Sequence, residues 1–111
     1  MTPQRLRDKT TAMPLDHHFT IAGLRWLWRY SKLRGRAAGW TISPDTKNPK
    51  LDRKILIDAR LKGRPLLETE IHEAMHACFP QISEESITEA ARDVARILWT
   101  LGYRIDGEKA P

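Results

Sequence analysis

The stretch Pro65-Leu66-Leu67-Glu68-Thr69-Glu70-Ile71-His72-Glu73-Ala74-Met75-His76 reads as one helix. Leucine, glutamate and alanine favour helix. Pro65 suits a first turn, where its missing N–H is not needed. No glycine or proline interrupts before Pro80. Residues four apart share a helix face, so His72 and His76 can aim both imidazoles at one ion. Glu73, one position on, reaches a water on that ion without ligating it. Two neutral imidazoles suit zinc, and a neighbouring carboxylate can take a proton from water.

A second helix follows over residues 83–101. Ser83 reads as its N-cap, with Glu84 and Glu85 in the first turn, where carboxylates favour the helix dipole. Ile87, Ala90, Ala91, Val94, Leu98 and Leu101 recur at helical spacing as its apolar stripe. Gly102 suits the C-terminal cap. The link Phe79-Pro80-Gln81-Ile82 is short, so the two helices are expected to form an antiparallel hairpin.

A catalytic zinc takes three protein ligands and leaves one position open. The third is expected from the returning helix. With the turn centred near Gln81, the midpoint of His72 and His76 comes level with Thr88. Glu89 fits that level best, and Glu85, about one turn nearer the loop, is its rival. Asp93 follows Glu89 at i+4 and could orient a ligating histidine. Glu89 lies off the centre of the apolar stripe, which would put zinc at the edge of the helix interface.

His72-Glu73-x-x-His76 is the H-E-x-x-H motif of zinc hydrolases. With Glu89-x-x-x-Asp93 it resembles the gluzincin branch of zinc metallopeptidases, in which a glutamate on a later helix ligates zinc and an aspartate four residues on supports a histidine. The runs Lys54-Ile55-Leu56-Ile57-Asp58, Leu66-Leu67-Glu68-Thr69 and Ile71-His72-Glu73-Ala74 are similar to small zincin-like proteins of phages and prophages. So are His76-Ala77-Cys78 and the tail from Asp93 to Arg104. The resemblance covers residues 20–104. It implies a zinc-dependent metallopeptidase with Zn2+ on His72, His76 and Glu89, and with Glu73 as the general base passing a proton to the leaving amine. It also implies that the strand before the zinc helix borders the cleft, where a free edge could pair with a polypeptide substrate. Two other classes stay open. One is a zincin-fold binding module that contacts a host or phage protein without catalysis. The other is a basic protein associated with nucleic acid.

The chain has 111 residues, a net charge of +5 and 41% apolar residues, enough for one modest core. Its single cysteine, Cys78, excludes an internal disulfide and reads as a small buried hydrophobe. No apolar run reaches membrane-span length and no signal-peptide pattern opens the chain. A cytoplasmic protein is expected, in the host cytoplasm if phage-encoded. Basic residues concentrate in the first half, and Trp26-Leu27-Trp28-Arg29-Tyr30 interleaves aromatics with charge. Weak nucleic-acid contact would use such a pattern, although strand aromatics more often build cores. Tyr103 reads as packing, Arg92 and Arg96 as solvated, and His17-His18 as a solvated pair. Trp40 and Trp99 are candidates for an exposed apolar patch.

Residues 1–18, polar with two prolines, are expected to form a loose arm, and residues 105–111 a disordered tail. Between them lies one domain, 19–104. The chain is expected to turn β-like from Phe19, as Thr20-Ile21 and then Leu24 to Tyr30, counted as one strand. The others are expected from Ala37 to Ile42, with Gly39 marking a bulge or close approach, and from Lys54 to Ala59, with Gly35 in a turn and an exposed loop over Ser43–Lys50. The expected fold is α+β: a small three-stranded antiparallel sheet packed on the α-helical hairpin.

Overall fold

In the computed structural model, residues 16–44, 48, 50 and 53–105 are described. Most of the expected arm, the centre of the 43–50 loop and the expected tail beyond Ile105 lie outside the described residues. The fold is α+β, with strands β1 (Asp16–Ile21), β2 (Leu24–Ser31), β3 (Gly39–Ile42) and β4 (Arg53–Asp58) and helices α1 (Gly63–Cys78) and α2 (Glu84–Thr100).

The sheet has four strands and is mixed, which corrects the three-stranded antiparallel expectation. Its order is β1-β2-β4-β3. The stretch expected as one strand from Phe19 to Tyr30 folds over at Ala22-Gly23, where both residues have positive φ (52° and 78°) and Ile21 pairs with Leu24. Two consecutive positive-φ residues make the tight turn whose twist suits a hairpin. β1 begins at Asp16, so Asp16, His17 and His18 belong to a strand and not to an arm. Asp16 is held by Arg29 across the hairpin at 3.0 and 3.1 Å.

Chain segment 32–38 then passes the end of β4 before β3 begins. β4 therefore lies inside the sheet, parallel to β2 (Trp28 opposite Ile55) and antiparallel to β3 (Thr41 opposite Ile55). Asp58 N–H donates to Ala38 O at 2.8 Å, closing that end. The strand expected to offer a free edge is thus interior, and β3 takes the edge.

Alternation sets the core. Trp26, Trp28 and Tyr30 of β2 share a face with Ile55 and Ile57 of β4, and all are buried with Leu66 and Ala77 of α1. The aromatics of the interleaved segment therefore pack inside. On α2, Ile87, Ala91 and Ala95 are fully buried. The small side chains of Ala91 and Ala95 let the two helices, linked through residues 79–83, pack closely around Ile87. Ser83 Oγ accepts from Ser86 N–H at 3.1 Å as the N-cap. At the other end Gly102 (φ 99°) and Tyr103 donate to the Trp99 and Leu98 carbonyls, a glycine-ended Schellman cap. Trp40 is 53% exposed, while Arg104 stacks over Trp99 at 3.3 Å. Cys78 is exposed rather than buried, because it ends α1 on the side away from the sheet core, one residue past buried Ala77.

Asp58 fixes the approach to α1. Its carboxylate accepts from Arg60 N–H and Nε at 2.9 Å each and from Nη2 at 2.7 Å, and these bonds hold its pKa down at about 2. An unfolded aspartate titrates near about 3.9. The stabilisation is therefore complete above that value and fades as pH falls from about 4 towards 2. The thermal midpoint of the native protein is expected to drop through that window, and that of Asp58→Asn to drop less. Parallel acid curves for the two would show that Asp58 does not carry the effect.

Candidate metal centre

Helix α1 places the two histidines one turn apart on the face turned to α2. Their Nε2 atoms lie 3.1 Å apart. From α2, Glu84 meets both, with Oε1 at 2.6 Å from His76 Nε2 and Oε2 at 3.2 Å from His72 Nε2. Thr88, one turn on, donates to Glu84 Oε2 at 3.2 Å and steadies the carboxylate. Partial burial pushes the Glu84 pKa up. The His76 hydrogen bond, the two nearby imidazoles and Thr88 outweigh it and hold the carboxyl below its usual range.

Among the described residues, His72, His76 and Glu84 form the group able to hold a metal ion, their ligand atoms all within 4.8 Å of one another. The donor set fits zinc. Bonds of about 2.0–2.1 Å at tetrahedral angles place two nitrogens about 3.3 Å apart, close to the spacing found here. Two imidazoles and one carboxylate also leave a fourth position open.

The structure does not bring Glu89 to the histidines. Reckoning from the turn gives height along the helix, which is only half of the geometry. At about 100° per residue, Glu84 lies about 20° round from buried Ala91, whereas Glu89 lies about 160° round. Glu89 is exposed on the outer face, and so is Glu85, about 120° from Ala91. Asp93 faces outward too and pairs with Arg96 at 3.1 Å instead of supporting a histidine. Glu84 was legible in principle, standing seven residues before Ala91 in the apolar stripe. Its position as the first helical residue made it read as a dipole partner.

Glu73 is 7% exposed. Thr41 of the edge strand donates to Glu73 Oε1 at 2.7 Å and also contacts Glu73 O at 3.0 Å. The other carboxylate oxygen, Oε2, lies 4.0 Å from His72 Nε2. One oxygen is thus tied to β3 while the other faces His72. Gly39 makes this approach possible, since a Cβ there would lie 2.8 Å from Glu73 Cγ and 3.0 Å from Thr69 Cγ2. A glycine inside a strand marks a bulge or a close approach, so the tight contact at Gly39 was legible, whereas Thr41 carries no local signal for its role. Gly39→Ala is expected to destabilise the fold by about 1–3 kcal/mol through overpacking. A denaturation midpoint equal to the native one would contradict the contact.

β3, α1 and the start of α2 enclose an open cleft of ≈ 500 Å³ that includes Trp40, Thr41, the two histidines, Glu73 and Glu84. Tyr103 and Arg104 line a different, smaller hollow together with Glu70 and Trp99. No helix among the described residues is long and apolar enough to cross a membrane. Comparison with known protein families, with characterised proteins and with solved structures returned no match.

Proposed function

We propose that this protein is a zinc-dependent hydrolase of peptide bonds, with zinc held by His72, His76 and Glu84 and with Glu73 as general base. The observation that carries the reading is the convergence of these three donors beside a buried glutamate with one oxygen turned to His72. Zinc, when bound, lowers the pKa of water and polarises a carbonyl. Glu73 accepts the proton of an attacking water on Oε2 and returns it to the departing nitrogen. Thr41 keeps Oε1 occupied and fixes the carboxylate plane. Among the described residues β3 is the edge strand of the sheet, and it borders the cleft. An extended backbone added there would lie alongside the histidine pair, which supports a polypeptide as substrate.

The test is elemental analysis of the purified chain followed by mass spectrometry of a peptide library. About one zinc per chain, with cleavage abolished by chelation and restored by added zinc, is the expected result. A chain that takes up no zinc from an excess would overturn the proposal.

A further inference from the structure

Cleft residues Gly39, His72 and Glu73 also line a second hollow, which shares Ala38, Glu68 and Thr69 with a third. Their shared residues make the three hollows one groove, which runs between β3 and α1 and continues past Ala38 to the arginines of α1 and α2. It starts where α2 begins, passes the histidine pair, and ends at Arg64 of α1 and Arg92 of α2. Arg64, Glu68, His72 and His76 follow one another at intervals of four, so the floor of the groove is a single helix face. Its lining is acidic along most of its length, with Glu84, Glu73 and Glu68, and basic at the far end. Arg64 and Arg92 stand at the far end, Glu68 lies between them and the histidines, and no ion pair joins any of these three to another charge among the described residues.

We propose that this groove selects polypeptides carrying an acidic residue about four positions from the bond held at the histidine pair, with Arg64 and Arg92 as the carboxylate-binding site. The proposal rests on the peptidase reading above and adds its substrate class. Spacing supplies the register. Arg64 precedes His72 by eight residues, about 12 Å along the helix. An extended peptide advances about 3.3 Å per residue, so that distance spans about four residues. Glu68, about 6 Å from His72, faces a position about two residues out and repels acid there. β3 runs from Gly39, which follows Ala38 of the arginine-lined hollow, to Ile42, which precedes Ser43 of the cleft. Antiparallel addition, the more stable pairing, therefore sends the substrate towards Ala38 and Arg64. The acidic residue then lies on the C-terminal side of the bond. Two planar guanidiniums can grip one carboxylate with parallel N–H bonds, which gives direction as well as charge.

The test uses the zinc-loaded full chain carrying Glu73→Gln, so that peptides bind without turnover. Fluorescein-labelled ten-residue peptides of neutral polar sequence carry one glutamate, or one glutamine, at successive positions. Glutamate is expected to tighten binding by about 5- to 10-fold at a single position, as for a partly solvated carboxylate between two arginines. Glutamate two residues nearer the histidines should weaken it, and Glu68→Gln should remove that penalty. Arg64→Gln with Arg92→Gln is expected to abolish the preference for glutamate over glutamine. Both arginines are at the surface or half-buried, and a melting curve checks that the variant folds. Equal affinity for glutamate and glutamine peptides at every position would overturn the acidic site and leave the peptidase reading standing. So would a preference that survives in the double arginine variant. Failure of every peptide to bind would overturn both.

Discussion

Glu84→Ala is expected to strip zinc from the protein, and Glu89→Ala to leave it at about one ion per chain. Glu84 meets both imidazoles directly, at 2.6 and 3.2 Å, while Glu89 points away from α1. Loss of an outer partner of a ligand costs about 10–100-fold in metal affinity, and loss of the ligand itself should cost more. The variant should fold. Glu84 is largely exposed and the core of the helix pair rests on Ile87, Ala91 and Ala95. The Ser83 cap is also independent of the Glu84 side chain. Removal of zinc should nevertheless lower the melting temperature of the native protein, since an ion held by His72, His76 and Glu84 would tie the two helices together. That drop should vanish in Glu84→Ala, which has no ion to lose. Elemental analysis and paired melting curves with and without chelator read both effects. Zinc retained in Glu84→Ala and lost in Glu89→Ala would show that α2 is rotated from the arrangement described.

Glu73→Gln is expected to keep zinc and lose turnover by about 10²–10⁴-fold, the usual contribution of a positioned base. Glutamine preserves the volume and accepts the Thr41 hydrogen bond through its carbonyl oxygen, so packing against Gly39 is retained. What it lacks is a second oxygen able to hold a proton. Thr41→Val provides the companion measurement. Valine matches threonine in shape but cannot donate, and it leaves Glu73 Oε1 buried without its partner. A fall in kcat of about tenfold, with zinc content unchanged, is expected from a loosened base. Thr41→Ser should recover most of it. A Glu73→Gln protein with native turnover would remove the base from the mechanism.

Elements whose evidence is local were legible in the chain itself. Both helices, their short link, the Ser83 cap and the Gly102 stop follow from residue type and spacing within a few turns. The histidine pair follows from helical period alone, because four residues make about one turn wherever the helix lies. The sheet was less legible. Ala22-Gly23 is a weak turn signal inside an apolar run, and nothing near β2 announces that its other neighbour lies past β3. Trp26, Trp28 and Tyr30 alternate correctly under either topology, so their pattern does not distinguish an edge strand from an interior one.

The amino-acid sequence by itself determined an α+β chain with a helical hairpin and with His72, Glu73 and His76 on its first helix. Tertiary structure alone decided which carboxylate joins them and which strand meets Glu73. Periodicity defines position within an element, whereas the rotation of α2 about its axis is set by burying Ile87, Ala91 and Ala95 against α1. That rotation turns Glu84 inward and Glu89 outward. In the same way, the passage of residues 32–38 beyond β4 makes β3 the edge and delivers Thr41 to Glu73. Both outcomes depend on contacts between residues more than a helix turn apart in the chain, which no local pattern encodes.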